Sequence, residues 1–89
     1  TDVDQETSSQ DLPQLHSVAI KEYFSICNNS ISNLSLKNFD VEIQYIRRPN
    51  MLENIEPRPD IVLTAGDILV IIGTQENLNL FEKYTINGE

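Results

Sequence analysis

Apolar residues follow two kinds of spacing along this chain, and each kind predicts a different element. Residues 41–45 alternate between apolar and polar side chains, a period of two that indicates a half-buried strand. Residues 68–72 form an unbroken apolar run, which indicates a strand buried on both faces. Leu78 and Phe81, followed by Tyr84 or Thr85, recur at helical spacing. The chain is therefore predicted to combine strands with helices.

Shorter patterns complete the set of predicted elements. A first strand is expected from Leu15 toward Phe24, and a further short strand at residues 52–55. Ser30 is a residue type that caps helices, so a short helix is expected between it and residue 38 or 40. The resulting order, β-α-β-β-β-α, predicts an α+β fold with a small, mostly antiparallel sheet and two helices.

Glycine, threonine and proline mark where these elements are expected to begin and end. Gly66 is expected in a turn that needs its backbone freedom. Thr74 is expected to cap the last helix, and Gly88 to end it. Pro57 and Pro59 fix an extended segment that lacks ladder donors.

The length of the chain and the distribution of its charges limit its domain organisation. The chain has 89 residues and a net charge of −8, which fits one small domain. Residues 1–14 carry four carboxylates and no basic side chain, so we expect an acidic flexible linker there and a folded domain over residues 15–89. A pI near 4.4 argues against nucleic acid and anionic membrane surfaces as partners.

The residues that usually carry catalysis or bind metals are scarce. Cys27 and His16 are each the only one of their type, which excludes an internal disulfide and the usual tetrahedral zinc set. The three glycines are too far apart for a phosphate-binding loop. We therefore expect no catalytic residues, no metal and no cofactor within this domain. The lone thiol and the absence of a signal peptide favour a reducing, cytoplasmic setting.

Half of the basic side chains lie close together in sequence. Arg47, Arg48 and Arg58 fall within twelve positions of one another, and guanidinium groups bind phosphate or carboxylate in bidentate fashion. The cluster is a candidate anion site. The alternative is that these arginines pair with neighbouring carboxylates, namely Glu42, Glu53, Glu56 or Asp60.

Several motifs occur here in an order and spacing that resemble one domain family. They are Asn28-Asn29-Ser30-Ile31-Ser32-Asn33-Leu34-Ser35-Leu36, Tyr45-Ile46-Arg47-Arg48, Pro57-Arg58-Pro59-Asp60, Leu63-Thr64-Ala65-Gly66-Asp67 and Ile68-Leu69-Val70-Ile71-Ile72-Gly73. Together they resemble the RCK C-terminal, or TrkA-C, domains that regulate potassium channels, potassium uptake systems and cation/proton antiporters. Asn28 replaces a usual glycine and Asn29 a common lysine. Asparagine tolerates a positive φ, so the turn is expected to survive.

The resemblance also implies a setting and an effector. Residues 15–20 and 80–88 look most like KefB/KefC-type monovalent cation/proton antiporters, in which a membrane antiporter domain and a nucleotide-binding RCK domain precede this module. That places the domain on the cytoplasmic face of the cell membrane. Some relatives bind cyclic di-AMP, so this or another anionic nucleotide is the expected effector. Local charge makes Arg47, Arg48, Asn50 and Arg58 its candidate ligands.

Self-association is expected on physical grounds. A sheet in a chain this small leaves an edge or an apolar face uncovered, and a homodimer would cover it. The candidate interface residues are Tyr23, Phe24, Ile26, Met51 and Leu52. Core packing is the alternative for each of them. A stand-alone small ligand-binding protein, or an enzyme of another class, is the alternative function, although no converging polar set supports it.

Overall fold

The computed structural model describes residues 12–88 of the chain. Its elements, in chain order, are β1 (Gln14–Ala19), a 3₁₀ turn (Ile31–Asn33), α1 (Leu36–Phe39), β2 (Glu42–Arg47), β3 (Ile68–Gly73) and α2 (Gln75–Asn87). The predicted α+β class is confirmed. Most of the predicted linker lies outside the described residues, and β1 begins at the linker's last residue. Among the helices of residues 12–88, none has the length and hydrophobicity that a transmembrane span requires.

The sheet is built around β3. Its strand order is β1-β3-β2, and β3 pairs antiparallel with both neighbours. Leu69 and Ile71 are 0% exposed and Val70 is 9% exposed, so the predicted central strand is confirmed. An apolar run takes this position because the central strand of a sheet has the least access to water.

A β-bulge changes which residues of β2 face the core. Ile43 pairs with Ile71 and Tyr45 pairs with Val70, so the register shifts by one residue between them. The predicted alternation would have buried Tyr45. Instead Ile46 is 0% exposed, and Tyr45 lies on the opposite face. The prediction was wrong here because a bulge inserts a residue and reverses the faces that follow it.

Two other predicted elements form differently. Residues 52–55 do not make a strand: residues 52 and 53 form a bend, and Ile55 forms only an isolated bridge with Ile46. The first strand stops at Ala19. The backbone N–H of Ile20 donates instead to the carbonyl oxygen of Asp67 at 2.8 Å.

The predicted first helix is divided into two short pieces. Leu34 has an extended backbone (φ −84°, ψ 143°), which separates the 3₁₀ turn from α1. Asp40 ends α1 in the left-handed region at φ 53°, as one of the two predicted stops. Asn28 also has a positive φ of 68°, which confirms that asparagine preserves the turn.

α2 covers one face of the sheet. Thr74 caps it, since its Oγ1 accepts a hydrogen bond from the N–H of Asn77 at 3.3 Å, and Gly88 ends it at φ 81°. Leu78, Phe81 and Thr85 are its buried residues. They complete the core, whose remaining buried apolar members are Val18, Ile20, Ile26, Ile31, Val41, Ile43, Ile46, Leu63, Leu69 and Ile71.

Gly73 lets the end of β3 pass close to β2 and α2. A Cβ built at this position would lie 2.9 Å from Cγ1 of Val41 and 3.4 Å from Cδ2 of Leu78. The first distance is too short for two carbon atoms, and both neighbours belong to the core. A side chain at residue 73 would therefore push β2 or α2 outward.

We expect Gly73→Ala to destabilise the domain by about 1–3 kcal/mol, the usual cost of overpacking a filled core. Val41→Ala removes the clashing methyl groups, so the double variant should lose less stability than the sum of the two single variants. Urea unfolding of the three variants measures this coupling. Strictly additive losses would show that the close contact with Val41 is not the cause.

Candidate functional site

A buried ion pair joins the end of β2 to the turn before β3. Arg48 Nε donates to Asp67 Oδ1 at 3.1 Å, and Arg48 Nη2 donates to Asp67 Oδ2 at 3.2 Å. The same Nη2 donates to the carbonyl oxygen of Val62 at 2.7 Å. Asp67 is 0% exposed, whereas the Arg48 side chain keeps 32% of its surface exposed. The ion pair therefore holds the connection between β2 and β3, which we call the 49–66 connection, against the sheet.

The turn before β3 supplies the other partners of this carboxylate. The N–H of Thr64 donates to Asp67 Oδ2 at 3.0 Å, and the N–H of Asp67 donates to the Thr64 carbonyl at 3.1 Å. Gly66 sits between them at φ 96°, which confirms its predicted role. The N–H of Gly66 also donates to the carbonyl of Ile20 at 2.9 Å, so the turn is tied to the end of β1.

The structure does not gather the four candidate anion ligands into one site. Arg48 is paired with Asp67, which is not among the carboxylates that the sequence offered as partners for the arginines. Arg47 lies at the end of the same strand, but on the sheet face that α2 does not cover, and it pairs with Ile68. Asn50 and Arg58 are exposed. A depression does form beside Arg48 and Asn50, but the carboxylates of Asp60 and Asp67 also line it.

The candidate interface residues fall into two groups. Ile26 is 2% exposed and belongs to the core, so the core-packing alternative holds for it and the interface prediction is corrected. Phe24 is partly buried against the same core. Tyr23, Met51 and Leu52 are 74%, 52% and 105% exposed. Those three present apolar surface to water.

A second depression lies where the sheet meets the start of α2, and sequence reasoning missed it. We call it the end depression, and its volume is about 450 Å³. The lining residues are Pro13, Leu36, Lys37, Asp40, Val41, Glu42, Ile72, Gly73 and Thr74. They come from four separate segments, so no local motif could indicate it.

The end depression combines an apolar floor with a charged rim. Leu36 and Ile72 are half-buried beneath it, while Lys37, Asp40 and Glu42 are exposed around it. Thr74, the N-cap of α2, also lines it, so the positive end of the helix dipole lies at its edge. The floor suits a flat apolar ring, and the helix end with Lys37 suits an anion.

His16 contacts α2 rather than a nucleophile. Its Nε2 lies 3.0 Å from Oε2 of Glu82, and both side chains are well exposed. Within residues 12–88, no group of three or more His, Cys, Asp and Glu side chains lies together in a way that could hold a metal ion.

Comparisons with known proteins agree on one family. The TrkA-C domain model matches residues 15–85. The RCK C domain of the potassium transport protein KtrA, in complex with cyclic diadenosine monophosphate, is 31% identical, with a TM-score of 0.69 over 92% of this chain and 94% of that chain. The solved structure of an RCK domain with cda is 25% identical to this chain, with a TM-score of 0.65. The match covers 80% of this chain and 96% of that chain.

The likeness of this chain to a larger protein is a likeness of fold alone. The GsuK channel bound to NAD is 21% identical, with a TM-score of 0.70, and the match covers 98% of this chain but 16% of that chain. No curated protein matches the chain.

Removing the guanidinium of Arg48 is expected to destabilise the fold. Arg48→Met leaves the Asp67 carboxylate buried without its ionic partner, and we expect a loss of about 2–3 kcal/mol, less than for a fully buried pair because Arg48 is partly exposed. Arg58→Met removes the same charge from an exposed side chain and is the matched control. Urea unfolding compares the two variants. Equal stabilities would mean that the ion pair does not hold the 49–66 connection.

Proposed function

Since the chain belongs to the TrkA-C domain family, we propose that it is the effector-binding regulatory domain of a monovalent cation transport protein. The observation that carries the proposal is its 31% identity, over nearly its whole length, to the RCK C domain of a potassium transport protein in complex with a cyclic dinucleotide. A regulatory role also agrees with the depressions that the described surface offers to a ligand.

The parent protein that we propose is a potassium or cation/proton transport system of the KefB/KefC type. This assignment rests on the sequence of the first strand and the last helix. In such a protein the domain would lie on the cytoplasmic face of the membrane, after a nucleotide-binding RCK domain. We propose that it works as a homodimer, so that a change in the pairing of two copies reaches the membrane domain.

Regulation then follows from differential binding. A ligand shifts a two-state equilibrium only as far as its affinities for the two states differ. The end depression is lined by residues of α1, β2 and β3 and by Thr74, the N-cap of α2. A ligand seated there contacts all four elements, so any difference in their arrangement between two states changes its affinity.

The end depression is the site that we propose for an anionic purine dinucleotide such as cyclic di-AMP. Its floor at Leu36 and Ile72 supplies apolar surface for an adenine ring, and its volume of about 450 Å³ falls within the usual range for small-molecule sites. The ammonium group of Lys37 and the N-terminus of α2 favour phosphate. The carboxylates of Asp40 and Glu42 oppose it, and they do so weakly because both are exposed.

Two substitutions at the rim are expected to change affinity in opposite directions. Lys37→Ala removes the cation and should weaken cyclic di-AMP binding by roughly three- to tenfold. Asp40→Asn removes a repelling charge and should strengthen binding by roughly threefold, and asparagine tolerates the positive φ at this position. Isothermal titration calorimetry on the 89-residue chain measures both dissociation constants.

Arg58→Ala is the control, because Arg58 belongs to the arginine cluster suggested by the sequence and not to the end depression. A loss of binding in Arg58→Ala with none in Lys37→Ala would place the effector at the arginine cluster and contradict the site proposed here. Turnover of a small substrate by the chain would contradict the regulatory function itself.

A further inference from the structure

The chain folds back on β2 directly after that strand ends. The N–H of Met51 donates to the carbonyl oxygen of Arg48 at 3.1 Å, which closes a β-turn. Pro49 stands at the second position of this turn, where its fixed φ is favoured. Ile55 then pairs with Ile46 through two backbone hydrogen bonds of 3.0 and 2.8 Å. The strand and the returning segment therefore form a short hairpin that is held at both ends.

A depression lies between the tip of this hairpin and the start of β3. We call it the hairpin depression, and its volume is about 440 Å³. It has no lining residue in common with the end depression, so the two can be tested independently. Its lining residues are Arg47, Arg48, Pro49, Met51, Leu52, Gly66 and Ile68.

The hairpin depression is positively charged, although the chain is strongly acidic. Two guanidinium groups line it and no carboxylate does, whereas the whole chain carries −8. Asp67 balances the charge of Arg48 from outside the depression. Arg47 is exposed, and within residues 12–88 it forms no ion pair with a carboxylate. Among the described residues one positive charge is therefore uncompensated, which favours an anionic ligand.

Arg48 adds hydrogen-bond donors that its ion pair leaves unused. A guanidinium group has five N–H bonds. The Nε and Nη2 atoms of Arg48 donate to Asp67 and to the carbonyl oxygen of Val62. No acceptor within residues 12–88 takes the two N–H bonds of Nη1, and 32% of the side-chain surface is exposed. These two donors are available to an anion that Arg47 attracts.

Exposed apolar side chains stand beside these charges. Leu52 is 105% exposed and Met51 is 52% exposed, while Ile68 is half-buried. Leaving apolar surface in water costs about 25 cal/mol per Å². A ligand that carries an apolar group next to its anionic group covers Leu52 and Met51 while Arg47 binds the charge.

The backbone around the hairpin depression is held in place before any ligand arrives. A Cβ built at Gly66 would lie 3.3 Å from Cγ of Pro49, so the turn before β3 packs closely on the turn after β2. The Arg48–Asp67 ion pair joins the same two turns. A ligand that binds between elements already fixed in this way loses little affinity to ordering them.

Size and charge favour a small ligand over a membrane surface. The volume falls within the usual range for small-molecule sites. An anionic membrane would face the excess carboxylates of the chain over a wide area, since 14 acidic side chains oppose 6 basic ones. A small anion responds mainly to charges within about 8 Å, the distance over which physiological salt screens them.

We propose that the hairpin depression is a second ligand site, which takes a small amphiphilic anion: a carboxylate or phosphate monoester joined to an alkyl or aryl group. Arg47 binds the anionic group, with the free donors of Arg48 beside it. Met51 and Leu52 cover the apolar group. The site goes beyond the proposed function, because neither its ligand class nor its residues are those of the end depression.

Octyl phosphate, kept below its critical micelle concentration, is the probe for this site. Titration of the ¹⁵N-labelled 89-residue chain should give saturable shifts of the amide signals of residues 47–52 and 66–68. Inorganic phosphate lacks the apolar group and octanol lacks the anion. Each should bind at least about tenfold more weakly than octyl phosphate, because each makes only one of the two kinds of contact.

Two substitutions separate the contributions of charge and apolar contact. Arg47→Ala should raise the dissociation constant for octyl phosphate by roughly three- to tenfold, and Leu52→Ser should raise it by roughly threefold or more. Lys83→Ala and Leu80→Ser make the same changes at exposed positions of α2 and are the matched controls. Circular dichroism confirms that each variant folds.

Several results would overturn the proposal. They are a chain that shows no saturable shift with octyl phosphate, equal affinities for octyl phosphate and inorganic phosphate, and an Arg47→Ala variant that binds like the unchanged chain. Shifts confined to residues 36–42 and 73–77 would move the ligand to the end depression. Binding to vesicles that contain phosphatidylglycerol, without binding of monomeric octyl phosphate, would replace the small ligand with a membrane surface.

Cyclic di-AMP binding, measured on the same Arg47→Ala sample, keeps this proposal apart from the proposed function. We expect its dissociation constant to be unchanged, because Arg47 does not line the end depression. If cyclic di-AMP binds and octyl phosphate does not, the second site is wrong and the effector site stands. If octyl phosphate alone binds, in a manner that depends on Arg47, the second site stands and the effector site is wrong.

Discussion

The rest of the fold depends on the apolar side chains that β3 carries on both of its faces. A strand that alternates apolar and polar side chains needs a covering layer on one face, whereas β3 needs one on each face. One layer is supplied by α2, whose Phe81 is 0% exposed against the sheet. The described residues supply no helix for the other. Within residues 12–88, the second face is covered by side chains of the neighbouring strands, such as Tyr45 beside Val70.

The long connection between β2 and β3 is organised by polar contacts instead of regular structure. Arg48 and Asp67 meet across 19 positions of sequence, and Ile55 adds one bridge to β2. A buried carboxylate is tolerable only when its charge and its lone pairs are satisfied. Here a guanidinium, the N–H of Thr64 and the Thr64 hydroxyl satisfy it. The connection is thus held near the sheet without a strand of its own.

Features fixed by neighbouring residues could be predicted from the sequence. Thr74 and Gly88 bound α2, Gly66 supplies a positive φ, and the apolar run of β3 is central in the sheet; each depends on a few consecutive residues. The bulge in β2 could not be predicted, because it depends on how Ile43 and Ile46 both reach the core. The end depression was missed for a similar reason, since Leu36, Glu42 and Thr74 meet only after the sheet has formed.

The central claim is that a cyclic dinucleotide binds this domain where the sheet meets α2. Amide hydrogen exchange of the 89-residue chain, with and without cyclic di-AMP, tests it without any substitution. We predict that the nucleotide slows exchange at residues 36–42 and 73–77. Exchange that is unchanged there, or slowed only within residues 48–66, would contradict the account.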